Sequence, residues 1–171
     1  MSKQNTEGMS IRAMDAADWP AVAEIYRQGM LTGKATFESE VPTFEAWDAA
    51  HRKNCRMVAV VDGAVSGWAA LSQVSSRSVY RGVAEVSVYV ADGSRRRGVG
   101  EAMLRALIEA SEKDGVWTLQ SGIFTGNAAS IALHQKCGFR AVGRRDKLGR
   151  DKGGQWRDIL LMERRSDRVG V

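Results

Sequence analysis

A strand, a basic turn and a helix follow one another without interruption between residues 85 and 104 of the chain. The strand alternates valine with other residues, and the turn carries three consecutive arginines before Gly98 and Gly100. Glycine has no Cβ, so its backbone can approach a ligand closely or adopt a positive φ. The unpaired N–H groups and partial positive charge at a helix start attract anions. The segment therefore predicts a pyrophosphate-binding turn, with a plain solvated turn that caps the helix as the alternative.

Hydrophobic periodicity alternates between strand and helix signals along the rest of the chain. Asp15 and Thr43 are typical residues at a helix start, and Asp62-Gly63 is typical of a hairpin turn. The predicted strands cover residues 11–14, 57–61, 64–71, 83–90, 117–124, 140–143 and 157–162. The predicted helices run from Asp15 to near Gly29 and over residues 43–51, 98–113 and 130–136. This order predicts an α/β protein.

Length and composition predict one compact enzyme domain that is located in the cytoplasm. The 171 residues include 44% hydrophobic residues and only two prolines, which fits a single domain over residues 11–165 with short tails at 1–10 and 166–171. Two widely separated cysteines predict neither a disulfide framework nor a metal site. No apolar run is long enough for a membrane helix. The net charge of +5 suits a polyanion, but the basic residues show no nucleic-acid-binding signature.

Two ordered motifs resemble the GNAT superfamily of N-acetyltransferases. The turn Arg95-x-x-Gly98-x-Gly100 is similar to the superfamily's acetyl-CoA loop, and residues 127–139 are similar to its next element, a helix followed by Gly-Phe. A narrower likeness to the phosphinothricin acetyltransferase branch lies in residues 35–38, 77–80, 85–90, 133–134 and 153–158. The resemblance implies a GNAT fold, with a mixed central sheet of six to seven strands and helices on both faces. It also implies acetyl-CoA as the acetyl donor, no metal, and a homodimer.

Acetyl transfer to an amine requires a base, because an alkyl ammonium is mostly protonated near neutral pH. Glu85 shares one face of an alternating strand with Ser87 and Tyr89, and its position matches the branch's general base, acting directly or through one water. The alternative is a solvent-facing or arginine-paired carboxylate. Many superfamily members carry tyrosine where this chain has His134, which could protonate the leaving thiolate. A packing role for His134, with water or backbone N–H groups in its place, stays open.

The resemblance assigns the remaining cofactor contacts to main chain and side chains along the two motifs. The backbone of the strand would run beside the pantetheine arm as an added strand does. The turn would hold the pyrophosphate, and Asn127 would either bond the pantetheine region or cap its helix. The predicted contacts are Val88, Tyr89, Val90, Arg95, Arg96, Arg97, Gly98, Val99, Gly100, Glu101, Asn127, Ser130 and Lys136, the last at the adenosine phosphate or simply exposed.

The predicted acceptor is a small amino-acid-like amine such as phosphinothricin, methionine sulfoximine, methionine sulfone or arsinothricin. Arginine's two-pronged donor suits a carboxylate, and Arg77 with Tyr80 matches the branch's substrate region. Ser87 joins them, and Phe37 either walls the pocket or belongs to the core. The alternatives are an acetyltransferase for proteins or other amines, and a coenzyme-A-binding module without turnover.

Overall fold

A computed structural model describes residues 8–171 of the chain, which form a seven-stranded sheet with helices on both faces. The strand order is β1-β2-β3-β4-β5-β7-β6. Only β4 and β5 pair in parallel; every other pair of neighbours is antiparallel. The strands are β1 Met9–Ala13, β2 Met57–Val61, β3 Ala64–Gln73, β4 Val83–Val90, β5 Thr118–Phe124, β6 Arg140–Arg150 and β7 Trp156–Arg165. The fold class predicted from the sequence is confirmed.

Four α-helices divide between the two faces of the sheet and bury two separate cores. The helices are α1 Trp19–Leu31, α2 Phe44–Ala50, α3 Val99–Lys113 and α4 Ala128–Lys136. One core joins α3 to strands β2 to β5 and β7 through buried residues such as Leu107 and Leu119. The other joins α1 and α2 to β2 and β3 through Ile25, Trp47 and Trp68. Apolar residues on both faces therefore hold the sheet in the middle of the molecule.

The parallel pair β4–β5 separates part of the way along its length. Their register pairs Val83 with Thr118, Ala84 with Leu119 and Glu85 with Gln120, and the pairing stops there. Beyond Glu85, β4 continues to Val90 with β3 on one side. β5 meanwhile continues to Phe124 beside β7. The two strands thus diverge immediately after Glu85, and an opening forms between them.

The ends of the domain differ from the sequence prediction. β1 begins at Met9, which pairs with Val61, so residues 9 and 10 belong to the sheet and not to a tail. Residues 1–7 of the predicted N-terminal tail lie outside the described part. At the other end the Ser166 hydroxyl donates to Glu112 at 2.9 Å, and Arg165 donates to the carbonyl of Gly170 at 2.6 Å. The residues after β7 therefore pack against the domain.

The third difference is β6, which extends to Arg150 and not to Gly143. Nearly all its residues are exposed, and it pairs only with β7 at the edge of the sheet. Among residues 8–171, no helix combines the length and the apolar character that crossing a bilayer requires.

Candidate active site

A cavity of about 430 Å³ lies in the opening between β4 and β5. Its walls come from the diverging halves of these two strands, from the loop after α1, from α4 and from β6 and β7. The residues that line it include Lys34, Phe37, Glu38, Glu85, Ser87, Val88, Tyr89, Gln120, Phe124, Asn127, Ser130, His134, Arg145, Leu148 and Ile159. A concave site of this volume suits a small molecule or part of a cofactor.

Glu85 lies at the point where the strands separate. Its side chain is exposed to the cavity, and Oε2 accepts a hydrogen bond of 3.3 Å from Nε2 of Gln120. No arginine or lysine forms an ion pair with it within residues 8–171. The structure therefore has an exposed carboxylate in the cavity wall, hydrogen-bonded to a neutral amide.

Four other residues of β4, Val86 to Tyr89, also line the cavity, and two of them, Ser87 and Tyr89, share the face of Glu85 as the alternating strand predicts. Ser87 and Val88 are half-buried there. The Tyr89 ring stacks on Trp68 with 4.9 Å between centroids and lies 4.9 Å from the Tyr26 ring. Burial raises the pKa of Tyr89, so its phenol stays protonated at neutral pH. Tyr89 thus supplies a neutral aromatic wall.

His134 is buried, with a relative exposure of 3%, in the third turn of α4. Its Nδ1 lies 2.7 Å from the carbonyl oxygen of Ser130. Because a carbonyl only accepts, Nδ1 must carry a hydrogen and donate it. Nε2 has no hydrogen-bond partner within residues 8–171, and the ring packs edge-on against Phe139 at 5.0 Å. Burial lowers the pKa of His134, which favours the neutral ring.

This geometry argues against the proton-donor role predicted for His134. In the neutral ring with hydrogen on Nδ1, Nε2 is a hydrogen-bond acceptor and has no proton to give. The packing and capping alternative describes the observed contacts better. His134 therefore enters the site as a buried acceptor at the cavity wall.

Asn127 serves as the N-cap of α4, as the second interpretation predicted. Its Oδ1 accepts from the backbone N–H of Ser130 at 3.2 Å. The amide also donates to the carbonyl of Lys34 at 3.2 Å, which ties the loop after α1 to the start of α4. Both Asn127 and Ser130 line the cavity. Asn127 therefore fixes the position of the wall that carries Lys34.

The basic turn has the backbone geometry of an anion-binding site. Arg96 and Gly98 have φ values of 61° and 79°, and Gly98 is the N-cap of α3. No side chain caps that helix start, so its first N–H groups remain available for a ligand. Arg95 pairs with Asp92 at 2.8 Å and Arg97 with Asp62 at 3.3 Å. Arg96 forms no ion pair with any described residue.

The other predicted members of the turn have structural roles. A Cβ on Gly100 would lie 3.2 Å from Leu133 and 3.5 Å from Val90, so this glycine allows α3 to approach α4 and β4. The side chain of Val99 is fully buried in the core. Val99, Gly100 and Glu101 can thus contribute only their backbone N–H groups to a phosphate.

The Glu101 carboxylate pairs with Lys136, the residue predicted either to reach the adenosine phosphate or to be simply exposed. Its oxygens lie 2.6 Å from Nζ of Lys136 and 3.0 Å from the Arg105 guanidinium. The predicted approach of Lys136 to the adenosine phosphate would require this short ion pair to break. Lys136 is therefore placed to neutralise Glu101 at the start of α3.

Two of the four predicted substrate residues lie away from the cavity. Arg77 and Tyr80 flank a short 3-10 helix between β3 and β4, where the guanidinium lies 5.6 Å from the centre of the tyrosine ring. Both are exposed and neither lines the cavity. Ser87 and Phe37 do line it, and the Phe37 ring meets Phe124 edge-on at 4.7 Å.

Sequence reasoning missed the other residues of the cavity wall, among them Glu38, Gln120, Arg145 and Leu148. Glu38 lies in residues 35–38, one of the segments that carry the family resemblance, so the sequence could have indicated it. The other three reach the cavity only through the pairing of strands that are distant in sequence. No local motif marks them.

Comparison with known proteins identifies the family. Residues 19–139 match the model of the acetyltransferase (GNAT) family. The chain is 34% identical over 160 residues to an L-methionine sulfoximine/L-methionine sulfone acetyltransferase of Pseudomonas paraeruginosa, covering 90% of this chain and 92% of the relative. It is 34% identical over 166 residues to a phosphinothricin N-acetyltransferase of Alcaligenes faecalis, covering 91% and 81%.

A solved structure shows the same architecture together with the acetyl donor. The phosphinothricin acetyltransferase of Sinorhizobium meliloti, solved in complex with acetyl-CoA, superposes with a TM-score of 0.85 at 29% identity, covering 95% of this chain and 91% of that one. The separated strands, the uncapped start of α3 and the family match agree with one another. The chain therefore belongs to the GNAT family and is an N-acetyltransferase.

Proposed function

We propose that the protein transfers the acetyl group of acetyl-CoA to the α-amino group of a small amino-acid-like substrate. Phosphinothricin, methionine sulfoximine, methionine sulfone and close analogues such as arsinothricin form the proposed class. The observation that carries this proposal is the separation of β4 from β5 directly after Glu85. It leaves a free strand edge with a carboxylate at one end and the start of α3 at the other.

The strand edge has the dimensions that an extended thioester arm needs. From Glu85 to Val90 the strand covers about 16 Å at 3.3 Å per residue. The backbone groups of Val88 to Val90 face an opening where β5 no longer pairs with them. Beyond Val90 the turn presents the N–H groups of residues 98–101 to an anion. These residues fit a ligand with a phosphate at one end and a reactive group at the other.

In the proposed reaction, Glu85 receives a proton from the ammonium group of the acceptor, directly or through one water. Acetyl-CoA supplies the acetyl group as a thioester, and a new N–C bond forms as the C–S bond breaks. The Glu85 carboxylate suits this task because it faces the cavity without a competing cation. The thiolate leaves as a fair leaving group, stabilised by water or backbone N–H groups, and it takes up through water the second proton, which the nitrogen loses as the amide forms.

The size of the cavity favours a small acceptor over a protein terminus. About 430 Å³ falls within the range of small-molecule sites, and the Phe37, Leu148 and Phe124 side chains close its walls. From the family resemblance we further propose a homodimer in the cytoplasm, with the acceptor as a small-molecule partner and no nucleic acid. Gel filtration with light scattering would test the dimer.

A thiol-release assay tests the proposed reaction. The assay measures the thiol released from acetyl-CoA by the wild-type protein and by the Glu85→Gln and Glu38→Gln variants. The acceptors are phosphinothricin, methionine sulfone, methionine sulfoximine and ordinary amino acids. Glu85→Gln should lower kcat by about 10²- to 10⁴-fold, the usual contribution of a general base. The KM for acetyl-CoA should stay unchanged.

Glu38→Gln is the matched control, because Glu38 is the other carboxylate in the cavity wall. It should keep most of the activity. Full activity of Glu85→Gln at every pH would show that the base is elsewhere. Calorimetric binding of acetyl-CoA without any amine-dependent thiol release would instead support a binding module without turnover.

A further inference from the structure

We propose that Arg145 binds an oxyanion at the far end of the acceptor's side chain and so selects anionic acceptors over neutral ones. This inference rests on the proposed function, because it concerns the substrate of the same cavity. Arg145 lines that cavity but belongs to β6, an edge strand far from Glu85 in sequence. The strand becomes irregular directly after it.

The irregularity is a bulge between Arg145 and Gly149. Arg145 pairs with Ile159 and Gly149 pairs with Arg157, so three residues of β6 face the single Asp158 of β7. Lys147 has a φ of 48°, and its N–H donates to Asp158 at 2.7 Å. Bulges turn side chains away from the regular alternation and occur next to active sites. Here Arg145, directly before the bulged residues, and Leu148, the last of them, both reach the cavity wall.

The charges around the bulge leave Arg145 available for a ligand. The preceding Arg144 is held by Asp146 at 2.7 Å and also pairs with Asp158. Arg145 forms no ion pair with any residue in the described part of the chain. A guanidinium in that state retains all five N–H donors for a ligand. A phosphinate or carboxylate can accept two hydrogen bonds side by side from the guanidinium. A neutral sulfone accepts weaker hydrogen bonds because it carries no net charge.

Strand register places Arg145 on the same face of the sheet as Glu85. Residues directly opposite each other on paired strands share a face. Glu85 lies opposite Gln120, and four residues further along β5 Phe124 lies opposite Ile159. Ile159 in turn lies opposite Arg145. Positions four apart on a strand point the same way.

The same register indicates which end of the acceptor Arg145 meets. Across the sheet, the backbones of Glu85 and Arg145 are three strand spacings of about 4.8 Å apart. Along the strand direction, they are four residues of about 3.3 Å apart. The α-carboxylate of an amino acid is attached to the carbon that carries the amine, so it must lie close to Glu85. The end of the side chain lies several bonds further away. Arg145 therefore fits the terminal phosphinate of phosphinothricin better than its α-carboxylate.

The cavity wall holds one other cation, Lys34, on the loop after α1. Its backbone carbonyl is tied to Asn127, and the residue is exposed. Lysine offers a point charge and lacks the planar fork that matches an oxyanion. Lys34→Gln should therefore reduce activity on both kinds of acceptor to a similar, small extent.

The test compares phosphinothricin with methionine sulfone, whose side chain ends in neutral oxygens. Both kcat/KM and calorimetric affinity are measured for wild type, Arg145→Gln and Arg150→Gln. Arg150 is the matched control, because it is an exposed arginine on the same strand that lies over Trp156 at 4.4 Å, outside the cavity wall. Arg145→Gln should lower kcat/KM and affinity for phosphinothricin by about 10-fold or more, the loss of one charged hydrogen bond. The values for methionine sulfone should change by less than about 3-fold.

Arg150→Gln should leave the ratio of the two acceptors unchanged, and an unchanged KM for acetyl-CoA would show that each variant is folded. An equal loss for both acceptors, or no loss for either, would overturn the inference. Thiol release with neither acceptor, despite binding, would reject the proposed function, while the two affinities would still decide the role of Arg145. Wild-type protein that neither binds nor acetylates phosphinothricin would reject both.

Discussion

At the scale of single residues, Gly98 controls the geometry of the turn before α3. Its φ of 79° is in the left-handed region that other residues adopt only at a cost of about 1–2 kcal/mol. We expect Gly98→Ala to move the first N–H groups of α3 and to raise the KM for acetyl-CoA by about 10-fold. The KM for the amine should change much less. Steady-state kinetics with each substrate varied in turn would measure both.

Gly93 provides the matched control for this prediction. It precedes Gly98 by five positions, a Cβ there would meet nothing within 4 Å, and its φ is not positive. Gly93→Ala should therefore leave both KM values unchanged. A Gly98→Ala enzyme with equal increases in the two values would contradict the phosphate-binding role of the turn.

Individual site residues differ in how far the sequence could predict them. Glu85 and Ser87 were predictable because the alternation within one strand places them on one face. Gly98 was predictable as a turn residue because a glycine directly before a helix can adopt a positive φ. Gln120 and Arg145 were not, because they reach the cavity through strand pairings between distant segments. Arg77 was assigned by resemblance and lies outside the cavity wall.

At the scale of elements, α3 connects the turn for which we propose phosphate binding to the core. Its Leu107 has no exposed surface and belongs to the larger core. Leu107→Ala should lower the free energy of unfolding by about 2–5 kcal/mol, because it removes buried methyl groups and leaves a cavity. Urea unfolding would measure this. Leu31→Ala at the end of α1, where the side chain is 64% exposed, should cost less than about 0.5 kcal/mol. Equal losses would contradict the packing of α3.

Most elements were predictable from local pattern, and β6 shows where local pattern fails. Thr43 caps α2 and Asp62-Gly63 turns the chain between β2 and β3, as the local pattern predicts, and the structure confirms both. Residues 144–150 are mostly charged and exposed, so nothing in their sequence alternates as a half-buried strand does. They adopt an extended conformation only because the backbone of β7 pairs with them, and the bulge interrupts even that pairing.

At the scale of the whole molecule, the two helical layers contain the only two histidines of the chain, of which His134 is buried and His51 is half-buried. His51 stacks on Trp47 at 4.3 Å in the α1–α2 layer, and His134 packs on Phe139 in the other layer. Burial lowers the pKa of both side chains from their ordinary value of 6.5. Both layers therefore contain a group that folding keeps neutral.

This arrangement predicts a pH dependence of stability. Because the folded state holds fewer protons than the unfolded state near pH 6, the free energy of unfolding should increase with pH in that range. The contribution is fully present above 6.5 and is lost as the pH falls below it. A separate loss should begin below pH 3.8, where the Asp18 carboxyl takes up a proton in the unfolded state but not yet in the folded state. The hydrogen bonds from Arg12 hold the pKa of that carboxyl below its ordinary value.

Urea unfolding at pH 8, 6.5 and 5.5 would measure the upper part of this profile. The double variant His51→Gln/His134→Gln should show a flatter dependence between pH 6.5 and 5.5, whatever its stability at pH 8. The single variants assign the effect to one layer or the other, since each layer holds one histidine. A double variant with the same slope as the wild type would show that the acid sensitivity arises from carboxylates, and that neither histidine changes protonation on unfolding.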